Sequence, residues 1–471
     1  MSMNSHKQYT ELYREHRDMV NDGSNGVMNQ YRETAASQLD VQGLPTHKVE
    51  RYKYTDADEA FAPNYGLNLR RMAPKVDPYT TFKCNVPNLS TALFFVVNDV
   101  PCPAPHNVMQ LLPEGVIVDS FSHIAATRAD LLEKFYNRAA NTDRDFKSGH
   151  DGVTLLNTLL AQDGLLIYLP QGVQLKSPIQ VVNVAAARMD MLSVRRVIVV
   201  AEADASGAVL FCDHAEGDNR YLTTQVIEAY ADEGAQLNLY SIEETNERTT
   251  RFSTLYVEQQ AKSRISYDGI TLTCGKSRNR IDVRLCGNGA ATELYGAVIA
   301  DADQRVDNNI MVEHLAPECQ SDMLYKYVLD GSSVGAFAGK VFVAPGAQKT
   351  SSLQTNANIC ATPTARAFSQ PMLEIYADDV KCNHGSTIGK LDEGALLYMR
   401  QRGIPEAEAR LMLQHAFIND VLRHVEIDHL HDRLSHLVEL RFRGELGSQC
   451  KGCKGCSNKK GYVVADLPKV G

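Results

Sequence analysis

Residues 1 to about 40 carry apolar side chains at helical spacing among many charges, with Tyr9, Tyr13 and Val20 on the apolar side. The stretch GLPTHK from Gly43 then breaks the pattern. Mixed patterning follows. Residues 91–97, TALFFVV, predict a strand, residues 128–138 an amphipathic helix with Leu131, Leu132 and Phe135 along one side, and residues 141–152 a polar connection. From residue 165 to residue 380 the chain changes character. Short runs rich in β-branched and aromatic residues alternate with Gly, Asp, Asn and Pro, as at 197–200, 208–212, 236–240, 254–257, 341–344 and 373–376. Short strands in such succession fit a sandwich, a barrel or a stacked solenoid, and no fixed repeat visible in the letters chooses among them.

Helical signals return after residue 390. Asp392 is placed to N-cap one helix, with Leu391 and Leu396 at hydrophobic-staple positions and Gly403 as a C-terminal stop. Pro405 suits the first position of a second helix, and Glu406 and Glu408 in its first turn favour the helix dipole. Ala409, Leu413, Ala416, Phe417 and Val421 form an apolar stripe that has to be buried, against the β region or against another protein.

Composition narrows the class. With 471 residues, 44% of them hydrophobic, the chain can bury a large core divided into two or three units, which excludes disorder of the whole. A net charge of -9 and an isoelectric point near 5.9 supply no overall basic field, against a nucleic-acid partner. The start, MSMNSHKQYT, lacks the apolar stretch of a secretory signal, and ALFFVV at 92–97 is too short to span a bilayer. A soluble, cytoplasmic protein without membrane partners is expected. Eleven cysteines, an odd number scattered through a long chain, fit a reducing compartment in which most are buried small hydrophobes.

Candidate chemistry begins at the Cys-x-His pair of Cys382 and His384. In an extended chain residues two apart point the same way, so thiol and imidazole would share a face as a soft pair suited to Zn, Cu(I) or Fe-S chemistry. Two ligands do not close a metal site, and the alternative is a turn in which Asn383 and Gly385 supply permissive backbone. Lys381 and a protonated His384 would favour the thiolate if Cys382 is partly exposed. The tail GSQCKGCKGCSNKKG sets Cys450, Cys453 and Cys456 in a C-x2-C-x2-C run. That run has the first three ligands of a bacterial ferredoxin motif but neither its fourth Cys nor its Pro. It reads either as a flexible appendage or as an accessory metal site completed from elsewhere. His424, Asp428 and His431 would share one face if their segment is helical. Negative evidence also counts. GAFAGKV at 335–341 is a residue short of a P-loop and lacks its Ser or Thr, and no Gly-x-Ser-x-Gly elbow or His-Glu-x-x-His pair is present.

Six blocks carry a more specific signal. They are LPTHKVERYKYTD at 44–56, LLNTLLAQDGLLIYLPQGVQLKSP at 155–178, HLAPECQSDMLYK at 314–326, LDGSSVGAFAGK at 329–340, AQKTSSLQTNAN at 347–358 and LEIYADDVKCNHG at 373–385. Through them the chain resembles the SufB/SufD family of iron-sulfur cluster assembly scaffolds, on its SufD side, over most of its length and in family order. Tyr52 stands where the family usually has Trp, and the Cys-rich tail lies outside the common pattern.

The resemblance implies a mainly β fold, a right-handed parallel β-helix core flanked by N-terminal and C-terminal helical domains. The divisions expected are 1–150, N-terminal and helical or mixed; 151–385, β-helix; 386–447, C-terminal helices that receive the ATPase; and 448–471, the tail. It also implies that Cys382 and His384 lie at the junction with a SufB-like paralogue, beside the place where the nascent cluster forms. The helix bearing Leu413, Phe417 and Val421 would meet a SufC-like ABC ATPase. His314 matches a family block and reads as structural.

The function expected is that of a non-enzymatic scaffold carrying a transient Fe-S cluster in the complex and no tightly bound cofactor of its own. A homodimer of the isolated chain is left open. One rival is a β-helix enzyme acting on polysaccharide through Asp378 and Asp379. The other is a free-standing metal or sulfur carrier working through the tail cysteines.

Overall fold

The computed structural model describes residues 4–72, 77–82, 89–141 and 151–446. Its centre is a parallel β-solenoid of about 8 turns, in which alternate strands go to two facing sheets, one of ten strands and one of nine. Partners in consecutive turns stack in register. Lys276, Arg305 and Val334 form one such column, with steps of 305 − 276 = 29 and 334 − 305 = 29 residues. Elsewhere the step is 276 − 250 = 26, from Thr250 to Lys276, or 366 − 334 = 32, from Val334 to Arg366. The turn length wanders, and this is why no fixed repeat can be read from the letters.

The period of two along each strand sends every second side chain into the lumen. Stacking then sets like upon like: Val197 and Val199, Leu255 and Val257, Ile281 and Val283, Ile310 and Val312, Val341 and Val343 build one continuous inner core. The outer face of the nine-stranded sheet is covered by the N-terminal part. Its helix Gly26–Gln42, N-capped by Asn25, packs on the wholly buried helix Gly152–Leu160. Ala129–Phe135 is helical as expected, with Leu131, Leu132 and Phe135 buried. The region 1–150 is nonetheless not separate from the solenoid. Its strand Ala92–Val97 pairs with Ile179–Ala185, and Ile117–Ser120 pairs antiparallel with Leu165–Leu169, so both sheets are extended at their first turn.

The segment Glu50–Tyr52 and the residues after it strap this part to the solenoid. Arg51 donates to both oxygens of Asp282, at 3.1 and 2.5 Å, and to Asn309 at 2.8 Å; Thr55 donates to Asp307 at 2.6 Å. Tyr52 donates to Asp151 at 2.7 Å, and its ring lies 3.9 Å from the Arg278 guanidinium. Asp151 also accepts from Arg280 at 2.5 Å and caps the buried helix through the Val153 N–H at 2.7 Å. Tyr54 stacks on Phe368 at 4.8 Å, which carries the strap out to the last turn.

The C-terminal helices cover the ten-stranded sheet. Asp392 caps the helix Glu393–Gln401 by accepting from the N–H groups of Gly394 and Ala395, and Gly403 leaves it at φ 85°. Pro405 is the cap of Glu406–Leu422, not its first residue. The buried side of that helix is Ala409, Ile418, Val421 and Leu422, with Leu413 and Phe417 half-buried and Ala416 exposed, so the expected stripe is rotated toward Ile418 and Leu422. The helix ends before His424, whose ring stacks on Tyr295 at 3.8 Å. Asp428 starts a new helix, Asp428–Phe442, so His424, Asp428 and His431 share no helical face.

One buried group in this C-terminal interface is costly. Asp268 lies on the outer face of the ten-stranded sheet with both carboxyl oxygens buried and unpaired. Burial, then Glu426 and Glu293, push its carboxyl up to about 8. The folded protein therefore holds a proton that the unfolded chain loses near pH 4, and the associated stability falls as pH rises from about 4 to about 8. Asp268→Asn should remove that loss. Its melting temperature should exceed that of the wild type by a margin that widens between pH 5 and 8.5, with a limit of roughly 5 kcal/mol. Parallel thermal melts across that range check it, and a constant margin would place the cost elsewhere.

Candidate functional site

The strand Val380–Gly389 closes the ten-stranded sheet and Arg366–Ile375 closes the nine-stranded one. Each pairs on one side only, so the two sheets end in adjacent ten-residue edges with no strand beyond them among the described residues. Such an edge is a row of unpaired N–H and C=O groups. Cys382 and His384 sit within Val380–Gly389, extended as the x-spacing suggested and not in a turn. Gly385 has no left-handed φ, and a side chain there would meet open space.

Register fixes which way the pair faces. The partners of Val380, Cys382, His384, Ser386 and Ile388 are Thr350, Ser352, Gln354, Asn356 and Asn358, all buried in the lumen. Ser386 donates across the lumen to Ser369 at 2.7 Å. Cys382 and His384 therefore share the inward face of a turn that no described residues cover: Cys382 is half-buried against the inner core and His384 is exposed.

Burial holds the Cys382 thiol above its ordinary value, and a backbone hydrogen bond at Ser352 opposes the shift. Lys381 lies on the opposite face of the strand and is not among the groups acting on the thiol, contrary to the expectation that it favours the thiolate. Among the described residues no three His, Cys, Asp or Glu side chains come together to hold a metal ion. The pair supplies two soft donors, and two further positions would have to come from outside.

The other candidates are placed as follows. Val421 is 1% exposed and belongs to this chain's own core. Lys326 lies 4.4 Å over the Phe417 ring and pairs with Asp420. The large apolar side chains exposed on the helices Glu393–Gln401 and Glu406–Leu422 are Leu397, Tyr398 and Met412. His314 is buried, accepts or donates at 2.9 Å with Ser321 and is held down to about 4 by burial. Asp378 and Asp379 lie in an exposed turn before the terminal strand. GAFAGKV falls inside the strand Val334–Val343, where no phosphate-cradling loop exists. Cys450, Cys453 and Cys456 lie outside the described residues. What the letters did not reveal is the second layer of the site. Gln354 stacks directly beneath His384, and its one signal is the spacing 384 − 354 = 30, one solenoid turn.

Fold and site together define a β-solenoid whose last turn ends in an open, donor-bearing edge. Comparison with known families agrees with that class. The description "SufBD protein N-terminal region" matches residues 3–181, and "SUF system FeS cluster assembly, SufBD core domain" matches residues 183–417. The chain belongs to the SufB/SufD family. It is 25% identical over 432 residues to an iron-sulfur cluster assembly SufBD family protein of Synechocystis sp., covering 90% of this chain and 93% of the relative. Similarity to the iron-sulfur cluster assembly protein SufD of Escherichia coli is 33% identity over 140 residues, 30% of this chain and 33% of that protein. With SufD of Bacillus subtilis it is 22% over 336 residues, 71% and 76%.

Proposed function

We propose that this chain is a SufD-like scaffold subunit of the SUF system. It joins a SufB-like paralogue along the open solenoid edges and places Cys382 and His384 at that junction, where a nascent Fe-S cluster forms as cargo and is passed on. One observation carries the reading: among the described residues the two adjacent strand edges at the end of the solenoid are unpaired, and the inward row between them holds a soft donor pair without closing ligands. Edge pairing recruits a second β protein by main-chain hydrogen bonds, and a paralogue would bring the missing ligands with it. The role is structural and ligating, with nucleotide turnover in a SufC-like ABC ATPase that docks on the C-terminal helices through Leu397, Tyr398 and Met412. A cytoplasmic setting suits an odd number of cysteines scattered through a long chain, and no described helix is long and apolar enough to cross a membrane.

His384→Ala tests the site. His384 is exposed and contributes little to the core, so the variant should melt within a degree or two of the wild type while its complex with the paralogue and ATPase assembles clusters at least tenfold more slowly. Absorbance during anaerobic iron and sulfide loading reads the rate, and a wild-type rate would remove His384 from the site.

Two substitutions separate docking from folding. Val421→Asp buries an unpaired carboxylate and should unfold the C-terminal helices at a cost of several kcal/mol. Met412→Asp, at an exposed position, should leave circular dichroism unchanged and weaken binding of the purified ATPase at least tenfold. Unchanged binding would move the docking surface elsewhere.

The tail cysteines Cys450, Cys453 and Cys456 are proposed as accessory soft-metal ligands, with one coordination position left for water or another chain. Removal of residues 448 to 471 should lower the iron taken up in reconstitution yet still complement a strain lacking the scaffold. Failure of a stably expressed truncation to complement would make the tail essential.

A further inference from the structure

The strand below the site contains a side chain whose hydrogen-bonding capacity is unspent. Gln354 is 0% exposed, and neither its Oε1 nor its Nε2 has a partner. Of the other polar groups of that inward row, only Asn358 Oδ1 also lacks a partner among the described residues. Ser352 accepts from Ser321 at 2.8 Å, Asn356 donates to the Tyr325 carbonyl at 3.2 Å, and Asn358 donates to Asn356 at 2.7 Å and to the Thr387 carbonyl at 3.0 Å. An unsatisfied buried donor or acceptor destabilises the fold, whereas methionine or leucine would fill the space without that cost. A buried amide at such a position calls for a partner.

Its surroundings leave one choice along the ladder. In the preceding turn Gln354 stacks on Met323, which is apolar and buried. Across the lumen its amide lies over Gly339, where any Cβ would overlap Nε2, so the facing strand keeps room for the amide and offers no side chain to bond it. In the next turn outward its register partner is His384.

We propose that Gln354 is a positioning residue for His384. Its Oε1 accepts one ring N–H, which fixes the tautomer and turns the lone pair of the other nitrogen toward the open end of the solenoid. A ligating histidine is commonly held in this way by an acceptor behind it, which sets both ring orientation and ligand basicity. The consequence for assembly rests on the proposed reading of His384 as a cluster-site residue; the hydrogen bond does not.

The test uses the full-length chain with 15N-labelled histidine, His384 being assigned from the resonances missing in His384→Ala. In the wild type the His384 ring nitrogens should show the shifts of a single tautomer. In Gln354→Met, and independently in Gln354→Leu, they should move to the averaged values of a free imidazole while the other histidines and the melting temperature stay in place. Cluster assembly by the complex should then slow about tenfold. Identical His384 shifts in wild type and both variants would overturn the positioning role and leave the cluster-site reading untouched. Normal assembly by His384→Ala would remove the cluster-site reading, while the shift change in the Gln354 variants would still establish the hydrogen bond.

Discussion

Everything in this molecule depends on in-register parallel stacking. Each turn satisfies its backbone by hydrogen-bonding the turns on either side, and each inward row continues the row below it. A solenoid built in this way buries its core lengthwise and has a problem only at its two ends. The first turn is closed by Ala92–Val97 and Ile117–Ser120, borrowed from the N-terminal part. Among the described residues the last turn has no such cover, although its two strands are as long as those of the interior. Natural proteins usually blunt edges of this length, so two left open side by side are, on the proposed reading, a surface for another chain, and the donor pair lies between them.

Buried charge keeps the covering parts in register with that column. Asp151 caps the buried helix, accepts from Tyr52 of the strap and accepts from Arg280 of the solenoid, so a single carboxylate ties three elements. Arg196 and Glu228, both fully buried, pair at 2.7 Å, and Glu228 also accepts from the N–H groups of Asn137, Ala139 and Ala140. Pairs of this kind contribute little net stability over apolar packing, yet breaking one leaves a buried charge, so they select one docking geometry over its neighbours. The block 44–56 makes sense in these terms: Arg51, Tyr52, Tyr54 and Thr55 each meet a different partner across the strap. Tyr52, in the position of the usual Trp, retains both the aromatic face for Arg278 and a donor for Asp151.

Much of this was legible in the letters. Local rules with short range read correctly: the Asp392 cap, the Gly403 stop, the strand runs and the burial of Leu131, Leu132 and Phe135. Alternation correctly put Cys382 and His384 on one face. What failed needed information from other turns. Pattern alone could not choose the solenoid because its step varies from 26 to 32 residues, and resemblance had to decide. The stripe on Glu406–Leu422 was rotated because the helix packs at once against two solenoid strands and the helix Asp428–Phe442, bringing Ile418 inward and leaving Ala416 outside. The environment of Cys382 was misjudged because Lys381, adjacent in sequence, lies on the other side of the sheet.

The chemistry of the open end follows from the same stacking. A soft metal centre binds thiolate, not thiol, so Cys382 must lose a proton that partial burial makes harder to lose. With two donors and no third ligand among the described residues, little there offsets that cost. On the proposed reading, a paralogue laid along the edge would change both quantities at once: it adds ligands, and a cluster held at the junction brings the positive charge that ionises the thiol. Ligand completion and subunit pairing are then one equilibrium, so donor strength at Cys382 and His384 depends on the partner being present. On that reading, an edge left open in this way makes a site that works only when assembled.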